Sequence, residues 1–380
     1  MTDGDRWAWV EVDLDAIAHN VEVLAETVAP AEVWAVVKAD GYGHGAVEVA
    51  RTAIEAGASG LCVALVQEGV QLRRAGLTAP VLVLSEQPPE TAPLIVEHDL
   101  TPTVYRRDFL QALVSAGPTD LGVHLKIDTG MQRVGVHPHA AAAVAESIVG
   151  RSPELRLAGV YTHLATADGV DDDSKGATAD QLERFDDALA RIPALDVAPR
   201  VHAANSAAAI AHADARRDLA RVGIAAYGIS PSDDLADHPT MRRLRPAIAV
   251  RARVSLVKQV RSASRISYGL RHRFDHDTTV ATVPIGYADG VPRRLWATGG
   301  QVLIGGRRHP IVGVVTMDQL MIDCGDSDVR VGDEVTLLGA QGDDRIRPEE
   351  WAHRLDTIGY EIVCGFSERL PRLHRRSIES

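Results

Sequence analysis

The chain has 380 residues, 46% apolar and 24% charged, with 40 basic against 52 acidic side chains and a formal net charge of −12. That length suits two domains with a substantial core. The acidic balance argues against a role built on neutralising nucleic-acid phosphates or an anionic membrane surface with Lys and Arg. Cys62, Cys324 and Cys364 are far apart and show no C-x-x-C spacing, so they suit a reducing compartment better than a disulfide framework. The opening residues MTDGDRWAWVEVD carry neither the basic nor the apolar region of a secretory signal. No apolar run reaches the ~18 residues of a membrane span. A cytoplasmic protein is expected.

From about residue 30 to 230, short β-branched runs alternate with amphipathic segments. The runs are Val33–Val37, Leu61–Ala64, Pro80–Leu84, Thr101–Tyr105, Gly122–Ile127, Leu157–Thr162, Arg200–Ala203 and Arg221–Ile229. Helices are expected between them at Gly45–Gly57, Gln67–Ala75, Phe109–Ala116, Ala140–Val149 and Gln181–Ile192, where apolar residues recur near a 3.6 period. The charged stretch Asp171–Lys175 reads as a solvated loop. Alternating βα units imply a parallel sheet with right-handed crossovers. Eight of them fit a closed (β/α)8 TIM barrel, with an open doubly wound sheet as the competing arrangement. After about residue 240 the texture changes to short strand-like runs separated by turns such as Gly299-Gly300 and Gly305-Gly306, with one helix at Arg347–Leu355. The expected architecture is therefore a barrel over residues 8–240 followed by a mostly-β domain over residues 241–380.

Chemistry concentrates first at Val36-Val37-Lys38-Ala39-Asp40-Gly41-Tyr42-Gly43-His44-Gly45. An apolar strand runs into a lysine and then a glycine-rich turn. Reactive groups of barrel enzymes sit at such C-terminal strand ends. A desolvated lysine has a lowered pKa and supplies the neutral amine of Schiff-base chemistry. A lysine snorkelling to solvent from a strand end fits the same position. The spacing G-x-G-x-G departs from the dinucleotide fingerprint G-x-G-x-x-G. His137-Pro138-His139 and the remaining histidines show no zinc-binding pattern, so no metal is expected.

The stretch VVKADGYGHG closely resembles the cofactor-lysine signature of the alanine racemase family. LKIDTGMQRVGV (125–136), THLATAD (162–168), NSAA (205–208), RVGIAAYG (221–228), SYG (267–269), PIGYADGVPR (284–293), TMDQLMID (316–323) and TIGYEIVC (357–364) match the same family in order. The resemblance spans nearly the whole chain and implies a barrel followed by a β-domain. It also implies pyridoxal 5'-phosphate carried by Lys38 as a Schiff base.

By the same resemblance, Lys38 is one of two acid/base groups. Tyr268, supplied by the partner subunit of a homodimer, is the other. Racemisation needs this pairing, because a proton leaves one face of Cα and another returns to the opposite face. The cofactor phosphate falls to Tyr42, Ser206, the backbone N–H groups of Gly223 and Ile224, and Tyr360, a combination that suits an anion. Ser206 also suits a helix N-cap before Ala207–Ile210. Arg221 faces the pyridine nitrogen, with His163 orienting it and Asn205 in support. Arg133 and the N–H of the partner subunit's Met317 take the substrate carboxylate, and Asp318 shapes the latter loop. Lys126 matches a lysine that is often carbamylated and then pairs with the arginine at Arg133.

Two features depart from the family pattern. Val314 replaces an arginine associated with the mouth of the substrate channel, which leaves Arg293 as a candidate partner for Asp168. The Leu270–Phe274 stretch is unusually Arg- and His-rich. The implied activity is interconversion of L- and D-alanine, supplying D-alanine for peptidoglycan. A serine or broad-specificity racemase, a barrel decarboxylase and a non-catalytic cofactor-binding protein are the alternatives. Tyr360 and Tyr287 would crowd the side-chain pocket and favour a methyl group.

Overall fold

The computed structural model describes residues 6–195 and 197–376. The opening residues Met1–Asp5 and the expected end of the second domain, residues 377–380, lie outside them. The chain forms two compact units. Of the described residues, one comprises 16–41, 46–195 and 197–245, and the other 6–15, 42–45 and 246–376.

The first unit is the barrel. Among the described residues its parallel strands are β2 (Glu32–Val36), β3 (Gly60–Val63), β4 (Val81–Val83), β5 (Thr101–Val104), β6 (Leu121–Lys126), β7 (Leu155–Tyr161), β8 (Arg200–His202) and β9 (Leu219–Val222). They pair in sequence order, and β9 lies against β2. Backbone bonds Asp218 N–H to Val201 O and Arg221 N–H to Ala204 O, both 3.0 Å, close the ring between β8 and β9. The eight expected strands are therefore present and closed, not laid out as an open sheet. Their apolar runs are continuous because helices and barrel interior bury both faces. Leu61, Cys62, Val63, Val81, Leu82 and Val83 are fully buried.

Two local expectations change. The expected run Arg221–Ile229 leaves the strand at Val222 and turns into a short 3-10 segment, Ile224–Tyr227, capped by left-handed Gly228. Asp171–Lys175 is not a loop. Asp171 caps the helix Asp172–Leu189 by accepting from the Ser174 N–H, and Asp172 and Asp173 occupy its first turn, where carboxylates complement the helix dipole. The acidic run is a helix start.

The second unit is mostly strand. β1 (Ala8–Asp13) pairs antiparallel with β10 (Ile248–Arg253) and parallel with Arg372–Arg375. β10 continues to Glu334–Gln341. A second sheet joins Leu256–Val260, Thr278–Val283 and Leu320–Gly325. β1 thus joins a sheet whose other strands lie more than two hundred residues later. Arg251 anchors it by ion pairs to Glu11 and Glu334, each at 2.7 Å. No helix among the described residues is long and apolar enough to cross a membrane.

Candidate active site

Lys38 follows β2, whose last rung is Val37 N–H to Cys62 O at 2.9 Å. β9 lies on the other side of β2, with Arg221 opposite Trp34. The barrel therefore brings Lys38 and Arg221 to adjacent strands. Past Lys38 the backbone turns left-handed: Ala39, Asp40, Gly41 and Tyr42 have φ of 53°, 52°, 61° and 52°. Non-glycine residues pay roughly 1–2 kcal/mol each for that conformation. The Gly41 N–H to Val37 O bond (2.9 Å) and the Ala46 N–H to Asp40 Oδ1 bond (2.9 Å) help to hold the turn.

Arg221 is 3% exposed. Its Nη1 donates to His202 Nδ1 at 2.8 Å, and its Nη2 donates to Thr162 O at 2.9 Å and Ala203 O at 3.1 Å. The contact of Nη2 with His163 Nδ1 is longer, 3.4 Å. A guanidinium only donates, so His202 Nδ1 accepts and its proton lies on Nε2. That proton points to His124 Nδ1, 3.0 Å away. Tyr161 stacks on the His202 ring at 4.6 Å, and the Arg221 guanidinium lies 5.0 Å from the Tyr161 ring centre. Burial, then the nearby arginine charges, hold these imidazoles neutral: His124 is drawn down to about 3, and His163 and His202 lie well below 6.5. His202, His124 and Tyr161 were not singled out from the sequence. The strand-end rule could have found His202, which closes β8 three residues before Asn205.

Lys126 ends β6 and is buried. Burial, with Arg221 and Arg133 next, lowers its pKa from 10.5 to about 7. Lys126, Arg133, Thr162 and His163 line one small recess. At the other end of the cluster, the helix Ser206–Ala211 is capped by Asn205, whose Oδ1 accepts from the Ala208 N–H at 2.9 Å. The cap expected at Ser206 thus falls one residue earlier. Ser206 Oγ instead accepts from the Gly223 N–H at 2.8 Å, so its own hydroxyl proton remains to be donated. Ile224, the next residue, is fully buried.

The remaining candidates lie in the second unit. Tyr42 and Tyr360 face one another with ring centres 6.1 Å apart. Gly43 beside them must be glycine, because a Cβ there would lie 2.4 Å from Val363 O. Tyr268 sits at the tip of a two-stranded ribbon, Arg265–Ile266 against His272–Arg273, and is 70% exposed. The Arg- and His-rich stretch is the return strand of that ribbon. It is anchored by Phe274, which packs with Val280, Val312 and Met321. Tyr268 also lines an open groove of about 900 Å³ with Lys258, Gln319 and Met321.

Met317 is 52% exposed on a loop held at both flanks. Tyr287 and Ala288 N–H groups donate to Thr316 O and Met317 O at 3.0 Å, and Arg369 bridges Asp318 (2.6 Å) to buried Asp289 (3.2 Å). Val314 is 2% exposed, and its carbonyl accepts from Ser267 Oγ at 2.6 Å. Among the described residues Asp168 forms no ion pair, and its carbonyl accepts from Ser232 Oγ at 2.6 Å.

The comparisons with known proteins agree with this arrangement. The family model described as alanine racemase, N-terminal domain, matches residues 12–231, and the one described as alanine racemase, C-terminal domain, matches residues 247–374. The chain is 46% identical to the alanine racemase of Symbiobacterium thermophilum, covering 98% of both chains. It is 44% identical to that of Nostoc sp., covering 96% of this chain and 95% of the relative. The crystal structure of alanine racemase from Bacillus anthracis with bound L-Ala-P superposes with a TM-score of 0.91 at 40% identity, over 99% of this chain and 97% of that one. That from E. faecalis gives 0.92 at 37% identity, over 99% and 100%. Alanine racemase relatives and family models matched over both units define a pyridoxal-phosphate-dependent racemase. The chain belongs to the alanine racemase family.

Proposed function

We propose that the protein interconverts L- and D-alanine with pyridoxal 5'-phosphate held on Lys38, and that the second acid/base group is the partner subunit's Tyr268. The observation that carries this reading is the buried Arg221 guanidinium, fixed by one imidazole and two carbonyls on the strand beside that of Lys38. The donor set fits the cofactor: a strand-end amine, a serine hydroxyl left to donate beside a backbone turn, and a buried cation.

When bound, the cofactor supplies an electron-withdrawing ring that acidifies the substrate Cα–H. The Lys38 amine would exchange a proton on one face of Cα, and the phenol of the partner subunit's Tyr268 on the other. Arg221 can donate but not accept. A ring nitrogen facing it must stay unprotonated, which limits electron withdrawal and favours return of the proton to Cα over transamination. Ser206, Tyr42, Tyr360 and the Ile224 N–H would take the phosphate, joined by the Gly223 N–H on its release from Ser206 Oγ, to which it donates here. Asn205, by capping the helix that starts at Ser206, would keep that hydroxyl in place. Neutral His163 would brace Arg221 without adding charge. Arg133 and the N–H of the partner subunit's Met317 would take the substrate carboxylate. The exposure of Tyr268 and Met317 supports their completion of a neighbouring subunit's site in a homodimer. Supply of D-alanine for peptidoglycan in the cytoplasm is the corresponding role.

The test is loss of optical activity from L-alanine by wild type, Lys38→Ala and Tyr268→Phe, with borohydride reduction to locate the cofactor by mass. Wild type should racemise alanine faster than serine and carry the label on Lys38. The Tyr268→Phe variant should keep the label and lose most turnover. Wild-type turnover and cofactor absorbance in Lys38→Ala would overturn the assignment.

A further inference from the structure

We infer that Glu68 is a positioning residue for Lys38. Its carboxylate takes over the rung that the strand fails to make, and so fixes the direction in which the lysine leaves the barrel. The inference rests on Lys38 carrying the cofactor.

Glu68 is the third residue of the helix Val66–Arg74, which follows β3. One carboxylate oxygen, Oε2, accepts from the Ala64 N–H at 2.7 Å and the Leu65 N–H at 3.0 Å. That much is a local helix-start bond. The other oxygen, Oε1, accepts from the Ala39 N–H at 2.7 Å, across 29 residues of chain. One side chain therefore ties the end of β2 to the end of β3.

The parallel register gives this bond its meaning. Val36 lies opposite Cys62, and Val37 N–H donates to Cys62 O. The next rungs of such a ladder would run from Ala64 N–H to Val37 O and from Ala39 N–H to Ala64 O; Ala64 N–H goes instead to Glu68 Oε2, and Val37 O accepts from Gly41 N–H. Ala64 O accepts instead from Gln87 Nε2 at 3.1 Å, and Ala39 N–H goes to Glu68. Lys38 is thus bracketed by two anchored peptide groups, a ladder bond before it and a charge-assisted bond after it. Ala39 is also the first of the four left-handed residues. The bond to Glu68 anchors the N–H of that first residue. The Lys38 side chain leaves from the Cα between the two anchors. Small displacements of a reacting group, of about 1 Å, cost on the order of 100-fold in rate.

The experiment uses the holoenzyme. In Glu68→Gln the amide offers one oxygen, which can serve Ala64 and Leu65 or Ala39, not both. Glu68→Ala serves neither. Asp171→Ala, which removes the unrelated helix cap on Ser174, is the control for a lost cap. The readouts are the absorbance of the Lys38-bound cofactor titrated with pH, the cofactor dissociation constant, kcat and KM for alanine, and thermal unfolding. Both Glu68 variants should shift the titration midpoint, weaken cofactor binding at least tenfold and lower kcat by about 10- to 100-fold, with KM changed less than about threefold. Asp171→Ala should change only thermal unfolding.

Adding Ala39→Gly relieves the left-handed residue of its Cβ. It should restore part of kcat in the Glu68→Gln background, and it gives the same readout if the single variant does not fold. If the Glu68 variants keep the wild-type spectrum, midpoint and kcat and merely unfold earlier, Glu68 is an ordinary helix cap and the inference fails. Absence of borohydride label on Lys38 in the wild type would instead remove the functional reading beneath it.

Discussion

Lys126 offers the sharpest quantitative prediction. An amine reacts with carbon dioxide only when unprotonated, and the product is a carbamate anion plus a released proton. Burial and the surrounding Arg221 and Arg133 charges bring the Lys126 pKa to about 7, against 10.5 for an ordinary lysine. At pH 8 roughly nine-tenths of Lys126 is then neutral, against ~0.3% of an unperturbed lysine, an enrichment of about 300-fold. Carbamylation replaces a cation among cations by an anion, which removes repulsion and gives Arg133 an acceptor.

The assay is 13C NMR of protein equilibrated with 13C-bicarbonate at pH 8, on wild type and Lys126→Met. A carbamate signal should appear in the first and be absent from the second. Activity should fall in carbonate-free buffer and return with bicarbonate. A wild type without the signal at saturating bicarbonate would falsify the argument. The carbonate-free protein has a companion behaviour. The folded-state pKa is depressed, so the unfolded chain binds the extra proton between pH ~7 and ~10.5, and stability rises with pH across that window. The fall from 10.5 to about 7 corresponds to at most about 5 kcal/mol.

Three further outcomes follow from the buried polar groups. His202→Ala leaves a buried Arg221 N–H without its nearest acceptor, and kcat/KM should fall by about 10- to 100-fold, the effect of ~1.5–3 kcal/mol on a charged hydrogen bond; an unchanged kcat/KM would remove His202 from the site. Ser206→Ala removes the hydroxyl donor offered to the phosphate and should raise the cofactor dissociation constant about tenfold while kcat at saturating cofactor changes little; equal affinity in a direct titration counts against a phosphate role. His124, drawn down to about 3 by burial, binds a proton in the unfolded chain below pH 6.5 that it refuses when folded. Stability should therefore fall as pH drops from about 6.5 towards 3, and His124→Asn, which keeps an acceptor for His202, should flatten that acid limb in urea titrations.

The barrel was legible in the sequence because its cause is local. Eight apolar runs alternating with helix-period segments leave few ways to bury both faces of a parallel sheet, and seven of the eight strands appear within a few residues of their expected place, the last ending early at Val222. Lys38 at the end of the first such run, and the family resemblance of the motifs that carry Arg221, Tyr268 and Ser206, were likewise readable from short stretches. Long-range pairing was not. β1 reads as a lead-in to the barrel, yet it lies in the sheet of the second unit, because its partners Ile248–Arg253 and Arg372–Arg375 are specified hundreds of residues away.

The cap expected at Ser206 moved to Asn205, because Ser206 Oγ has a better use in receiving the Gly223 N–H from the next strand. The acidic run at Asp171 became a helix start, since charge composition does not distinguish a solvated loop from the first turn of a helix. Most consequential are His202, His124 and Glu68. A buried imidazole pair behind Arg221 and a carboxylate holding the residue after Lys38 depend on which strand ends become neighbours. The residue types in the site were set by the sequence. Which N–H each acceptor receives, and hence where the amine and the guanidinium are held, was decided only when the barrel closed.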